Sequence, residues 1–435
     1  MKNNTVTILG ANGTMGKNIA AIFASFGSCK VYMMCRSKEQ AEIARCAAAK
    51  TVRADSILKR LIPVTYDEIP DVIPKSDLIF ESVAESLDIK NDINRKVSKF
   101  IKPNSVLCTG TSGLSVDCLA QELPAEVAAK YLGVHFFNPP YNMVLCEVIP
   151  TRYTDKNCVE SIKKYLKEVL YRTVVTVKDE AGFLGNRIGF FFINEAFLYA
   201  ERYKANGGID YIDEILGGFT GRNMPPIVTA DFVGLDVHKA IIENVFENGG
   251  YFSRQSFATP LFLKELVESG KLGRKVGQGA YKTVIDENGK KYKYIYDIQS
   301  GEYRPKGKYD FSFKREMIEL LANGNYKEAI EVLIQGKSDE TRIVRDFLVR
   351  YTIYAIYMAK SVCEKISYAD DVMATGFGWI PPLAVIDAFG GKAVFSEMIK
   401  LADMNYLALD KDQAIDLINE APKSKYDYRK YLKAF

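Results

Sequence analysis

His135 opens the run His135-Phe136-Phe137-Asn138-Pro139-Pro140, and Glu147 follows twelve positions later inside the apolar stretch Leu145-Cys146-Glu147-Val148-Ile149. The chain of 435 residues holds only two histidines, which makes this one a conspicuous candidate for proton chemistry. Imidazole titrates near neutrality and is the usual general base. A carboxylate among apolar residues is costly to bury unless it is paired. Glu147 is therefore expected to hold the imidazole of His135 and fix its tautomer, as the acid of a triad does. The competing reading makes His135 a strand-end residue and Glu147 a satisfied core polar group.

A second constellation lies at the start of the chain. The β-branched run 5–9 stops at Gly10-Ala11-Asn12-Gly13-Thr14-Met15-Gly16, and helical apolar spacing follows over 17–24. Strand, glycine turn and helix is the setting of a dinucleotide fingerprint. Glycine allows the tight turn and close backbone approach, and the helix N-terminus favours the pyrophosphate. The spacing is GxxGxxG, one residue wider than GxGxxG; the alternative is a turn whose glycines serve packing alone. The next strand, 30–34, ends in Cys35-Arg36-Ser37-Lys38. NAD sites place an acidic residue there for the ribose 2′-hydroxyl. None stands there in this chain, and Arg36 with Ser37 suits a 2′-phosphate. The expectation is NAD or NADP as cofactor, with NADP modestly favoured.

These residues need a scaffold. Further strands are expected at 78–83, 105–109, 131–135 and 173–177, with helical segments between them, which predicts an α/β Rossmann-like domain with a mostly parallel sheet. Ligands bind beyond the C-terminal strand ends of such sheets, where Thr109-Gly110-Thr111-Ser112 and His135 fall. Residues 39–61 read as one or two helices carrying Lys50, Arg53, Lys59 and Arg60. That set is either a solvated face or a patch for an anionic substrate handle.

Composition narrows the classes. Hydrophobic content of 48% with 26% charged residues is ordinary for a globular protein. A net charge of +4, from 58 basic and 54 acidic residues, argues against nucleic acid as the main partner. Eight cysteines without a CxxC pair, beside two histidines, predict no metal site and buried thiols in a reducing compartment. The sequence has neither a signal-peptide pattern nor an apolar run of about 18 residues, so no membrane span and a cytoplasmic location are expected.

Taken in order, the motifs resemble the 3-hydroxyacyl-CoA dehydrogenases over nearly the whole length. The resemblance rests on the glycine fingerprint, on Glu81-Ser82-Val83-Ala84-Glu85-Ser86-Leu87-Asp88-Ile89-Lys90 and on Thr109-Gly110-Thr111-Ser112-Gly113-Leu114-Ser115. It continues through His135 to Pro139 with Glu147, Lys178-Asp179-Glu180-Ala181-Gly182-Phe183-Leu184-Gly185-Asn186-Arg187, Ala230 to Asp236, and Leu272 to Gly279. It implies NAD(P)-dependent oxidation of a (3S)-3-hydroxyacyl-CoA, with His135 as base, Glu147 orienting it, and Ser112 and Asn186 as polar groups on the substrate side. It also implies that Glu85, Lys90, Asn138 and Lys275 line the cofactor cleft, with Ser112 reaching the cofactor too. An acyl-CoA substrate would give Lys50, Arg53, Lys59 and Arg60 its phosphates to meet. Three departures stand out: the extra loop residue Asn12, Cys35 in place of the family's acid, and Gly110 where the family has Asn.

The C-terminal half is expected to be mainly helical. Residues 190–203 form an aromatic helix of the core or subunit-interface kind. Tyr211-Ile212-Asp213, Pro225-Pro226, Asp231 and Gly234 recur as Tyr368-Ala369-Asp370, Pro381-Pro382, Asp387 and Gly390, at offsets of 157 and then 156, which indicates a duplication. The predicted layout is a dinucleotide-binding domain at 1–179, a first helical repeat at 180–285, a hairpin and linker at 286–325 with an Asn288-Gly289 turn, and a second repeat at 326–435. Two copies suit a monomer with an internal pseudo-dimer, or else a homodimer; no segment has room for the hydratase domain of longer relatives. Two other functions compete. One is an NADP-dependent β-hydroxyacid dehydrogenase on a non-CoA substrate, whose relatives use a lysine where this chain has Asn186-Arg187. The other is a non-catalytic nucleotide-binding relative, which would be expected to lose His135 or Glu147.

Overall fold

A computed structural model of the chain describes residues 4–405 and 407–435. The chain divides into two units, Met1–Phe183 with Val362–Glu364, and Leu184–Ser361 with Lys365–Phe435. The first unit is built on an eight-stranded sheet of β1 (Thr5–Leu9), β2 (Lys30–Cys35), β3 (Leu61–Thr65), β4 (Leu78–Glu81), β5 (Val106–Thr109), β6 (Tyr131–Phe136), β7 (Leu145–Pro150) and β8 (Thr173–Thr176). Their order is β3-β2-β1-β4-β5-β6-β7-β8. All neighbours are parallel except β6 and β7, which join through a short connection. The strands are apolar on both faces because helices, among them Thr14–Ser25, Lys38–Val52 and Lys156–Glu168, cover the sheet. This is the Rossmann-like domain expected from the alternating pattern.

One stretch departs from expectation. Residues 39–61 were expected to hold one or two helices, and the helix Lys38–Val52, ended by Arg53 in the left-handed region (φ 50), with a 3-10 helix at Asp55–Lys59 fills that span; the strand that follows was not expected. After a short turn the chain enters β3. Pro63 hides this strand from a pattern reading, since proline cannot donate to a ladder. It is tolerated because β3 is an edge strand.

The second unit is mainly helical, around the helices Gly185–Arg202 and Asp339–Val362. It also holds a three-stranded sheet of β9 (Tyr281–Ile285), β10 (Lys291–Tyr296) and β11 (Tyr303–Pro305). The β9–β10 turn carries Gly289 at φ 76, as an Asn-Gly hairpin turn requires. The two motif copies make matching local structures. Asp213 accepts from the N–H groups of Ile227 and Val228 at 2.9 and 3.0 Å, and Asp370 accepts from Leu383 N–H at 2.7 Å. Each carboxylate thus caps the helix that follows its Pro-Pro pair. Among the described residues no helix is long and apolar enough to cross a membrane.

Candidate active site

His135 ends β6 and Glu147 lies directly opposite it on antiparallel β7. Their side chains share one face of the sheet, and His135 Nδ1 stands 2.8 Å from Glu147 Oε2. Glu147 is fully buried and His135 nearly so. Phe137 and Phe183 pack on the ring at centroid distances of 4.6 and 5.6 Å. The ring is therefore clamped on its Nδ1 side by a carboxylate and on its flanks by aromatics.

A chain of charges runs from buried Glu81 and Lys90 out to exposed Glu85. Glu81 ends β4 fully buried, and its Oε1 accepts from Lys90 Nζ at 2.8 Å and from Val83 N–H at 2.7 Å. Thr109 donates to its other oxygen at 2.7 Å. Lys90 reaches on to Glu85 at 3.3 Å. Glu85 Oε1 then accepts from Thr111 Oγ1 at 2.6 Å and from the N–H groups of Ser112 and Gly113, both at 2.9 Å. Burial pushes Glu85 up, but Lys90 and these three donors outweigh it and hold the carboxyl below its ordinary range. The outcome is a fixed Ser112 loop. Gly110 belongs to it: a Cβ there would meet the Phe80 ring at 2.8 Å, so the asparagine usual in the family has no room. Glu81 was absent from the sequence expectations as a site residue. The signal for it was of the kind that exposed Glu147, a carboxylate in an apolar strand.

A cavity of about 710 Å³ opens at the C-terminal ends of β1, β2 and β4. Gly10, Asn12, Gly13, Arg36, Tyr66, Asp67, Ser82 and Lys96 are among its lining. Gly10, at φ 75, comes so close to β4 that a Cβ would lie 2.5 Å from Ser82 O, and a Cβ on Gly16 would lie 2.3 Å from Gly10 O. Gly13 caps the helix Thr14–Ser25 without a side-chain bond, so no side chain satisfies the helix's first N–H groups, an arrangement suited to an anion. Two of the sequence departures meet here. The backbone N–H of Asn12, the extra loop residue, donates to the thiol of Cys35, which is wholly buried. Of the residues given to a 2′-phosphate, only Arg36 lines the cavity. Ser37 instead caps the helix Lys38–Val52 by accepting from Gln40 N–H at 3.2 Å. The neighbouring Lys38 pairs with Glu68 at 3.6 Å. Asp67 brings an acid to the same cavity from the end of β3.

Other expected residues lie elsewhere. Lys50, Arg53, Lys59 and Arg60 are exposed at the N-terminal ends of the strands, because the helix Lys38–Val52 runs back across the sheet to start β3. Arg60 donates to Ala24 O at 3.1 Å there. The fold does not bring this set to the cleft. Asn138 is exposed just past β6. In the second unit Asn186 sits buried in the first turn of Gly185–Arg202, and Lys275 pairs with Asp236. Among the described residues no cluster of His, Cys, Asp or Glu could hold a metal ion.

Comparison with known proteins agrees with this geometry. Residues 5–180 match the family model described as 3-hydroxyacyl-CoA dehydrogenase, NAD binding domain, and residues 182–283 match its C-terminal domain. A probable 3-hydroxyacyl-CoA dehydrogenase of Caenorhabditis elegans is 31% identical over 300 residues, 65% of this chain and 93% of the relative. One of Bacillus subtilis is 29% identical over 350 residues, 79% of this chain but 43% of the relative, so the chain spans less than half the length of that relative. The crystal structure of a 3-hydroxybutyryl-CoA dehydrogenase from Escherichia coli shares the fold over 96% of this chain and 99% of its own, with a TM-score of 0.70 at 22% identity.

Proposed function

Because the chain belongs to the 3-hydroxyacyl-CoA dehydrogenase family, we propose that it catalyses the reversible oxidation of a (3S)-3-hydroxyacyl-CoA to the 3-oxoacyl-CoA with NAD or NADP. The observation that carries this reading is the buried His135–Glu147 pair, 2.8 Å apart, on the same sheet whose C-terminal strand ends form a cavity with a dinucleotide-type rim. Glu147 holds Nδ1 and favours the imidazolium, and His135 takes the substrate hydroxyl proton on its Nε2 side. Ser112 and Asn186 position the substrate oxygen. The nicotinamide, when bound, supplies the hydride acceptor. Gly10, Asn12, Gly13, Thr14, Met15 and Gly16 suit its pyrophosphate, an uncapped helix N-terminus being a ready anion site. Glu85, Lys90, Asn138 and Lys275 are assigned to the same cofactor by family likeness, as is the (3S) hand.

Cofactor choice rests on Arg36 and Asp67, opposite charges on one cavity wall. Arg36 attracts a 2′-phosphate and Asp67 repels it, so both nucleotides are used and these two residues set the ratio. The experiment is turnover of acetoacetyl-CoA by the purified chain with NADH and with NADPH in parallel. Loss of reduced nucleotide is expected with both, and no turnover with either would remove the reading.

The chain is further proposed to carry two helical repeats that dock on each other within one molecule. The loops before the two Pro-Pro pairs meet in reverse order. Gly221 O accepts from Ile380 N–H at 2.7 Å, the Arg222 guanidinium lies 5.0 Å from the Trp379 ring, and a Cβ on Gly378 would meet Asn223 at 2.9 Å. Two-fold contact between equivalent segments produces this pattern. Light scattering should then give the mass of one chain.

A further inference from the structure

Val362, the last residue of the long helix Asp339–Val362, and the two residues after it belong to the first unit, not the second. Val362 O accepts from Lys178 N–H at 2.9 Å, and Cys363 forms an antiparallel bridge with Val177, just past β8. Residues 362–364 are thus a strap on the free edge of the sheet, 179 positions beyond Phe183 at its first residue (362 − 183).

The register shows what the strap faces. Glu147 pairs with His135 on one side and with Val175 on the other. Val177 lies two positions along from Val175 and so shares its face, and Cys363 is opposite Val177. His135, Glu147 and Cys363 therefore project from the same face of the sheet. The strap also pins the corner that holds the Ser112 loop. Lys178 is fixed by Val362, and the next residue, Asp179, accepts from Ser115 Oγ at 2.7 Å and from Asp117 N–H at 2.8 Å.

We propose that the strap 362–364 is a positioning element of the active site, with Cys363 as the neutral side chain that sets the field felt by the Glu147–His135 pair. This rests on the proposed dehydrogenase reading for its functional meaning. Burial, first, then Glu147 and Glu364 push the Cys363 thiol well above its ordinary range against the pull of Lys178, so the thiol carries no charge at neutral pH. The titratable and charged groups around the pair are Glu147 itself, Cys146 beside it with Arg172 nearby, Lys178 after β8, and Cys363 and Glu364 on the strap. Phe137 and Phe183 add none.

The test replaces that neutral side chain with a charged one and reads His135 directly. The chain has two histidines, so the NMR imidazole signal missing from His135→Gln is that of His135. Cys363→Asp should raise its midpoint by about 1 pH unit, the size of one added charge about 10 Å away at an effective dielectric near 20. The alkaline limb of the kcat/KM profile for acetoacetyl-CoA reduction, where the imidazolium supplies the hydroxyl proton, should move by the same amount. Cys363→Ser should leave the midpoint in place. A folded Cys363→Asp variant with an unmoved signal would overturn the proposal. Where that variant fails to fold, exposed Glu364→Lys decides: a lower midpoint supports the strap's role and an unchanged one refutes it. A wild-type chain without turnover but with the expected NMR shifts would remove the dehydrogenase reading and leave the strap coupled to His135.

Discussion

The guanidinium of Arg222 lies 5.0 Å from the Trp379 ring, and the two occupy the loops that precede the two Pro-Pro pairs. Arg222 is fully buried, 3.4 Å from the Phe192 centroid and 5.2 Å from Tyr351. Its Nη1 donates to Thr220 O at 3.0 Å, while its Nε and Nη2 have no hydrogen-bond partner among the described residues. Burial pulls its pKa down to about 9.

That asymmetry gives a stability prediction. Trp379→Ala leaves a cavity and should cost about 3–5 kcal/mol. Arg222→Met removes a buried cation with few partners and keeps most of the volume, so it should cost less than about 1 kcal/mol or stabilise. Urea unfolding of the two variants checks this; equal losses would refute it.

For the proposed chemistry, His135→Gln should lower kcat by roughly 100- to 10,000-fold while cofactor affinity stays near the wild-type value. Glu147→Gln should also be damaging, through lost imidazole orientation. The double variant should be scarcely worse than the worse single one, because the two act as a unit. Additive losses in kcat/KM would separate them.

Cofactor ratio is predicted to follow the charges of the cavity wall. Arg36→Gln should shift preference toward NADH, and Asp67→Asn toward NADPH, each by about 1–2 kcal/mol, the scale of one charge-assisted contact. The measurement is kcat/KM for both nucleotides. Shifts of opposite sign to these would assign the 2′-position elsewhere.

His238 gives a pH prediction. It is fully buried, stacked on Phe197 at 4.7 Å, with Nε2 3.2 Å from Asn194 Oδ1. Burial holds its pKa down to about 3 against a free value of 6.5. The unfolded chain therefore binds a proton that the folded chain refuses, and stability from this group is complete above pH 6.5 and lost as pH falls toward 3. The loss is on the order of 3–5 kcal/mol. Asp213 and Asp370, each raised to about 7 chiefly by burial, act with the opposite sign in that window, so the comparison is between wild type and His238→Phe. The variant should lack the fall; parallel curves would exclude His238.

Much of this architecture could be read in the sequence because local pattern and global fold agree. The glycine turn between a β-branched run and an amphipathic helix pointed to the cavity at the strand ends, and a histidine twelve positions before a carboxylate in an apolar run pointed to the pair. What stayed hidden depends on packing between distant segments. Pro63 masked β3 because edge position is a property of the sheet. The basic residues 50–60 were grouped by charge, and only the crossover direction shows that they end at the far rim. Asn12 and Cys35 looked like separate departures until the N–H of one met the sulfur of the other. Ser37 looked available to a phosphate until it proved to be a helix cap.

The strap also bears on how the chain is made. Synthesis from the N-terminus delivers the whole eight-stranded sheet by residue 183, yet its edge cover arrives with residues 362–364. At translation rates of about 5–20 residues per second, Val177 and Lys178, which extend β8, wait roughly 10–40 s for their backbone partners. An open strand edge is the surface on which sheets aggregate. A fragment ending near residue 183 keeps that edge open permanently. Nascent chains of this protein should therefore engage chaperones during that interval, and expression of the first 183 residues alone should yield aggregates that residues 362–364 supplied in cis suppress.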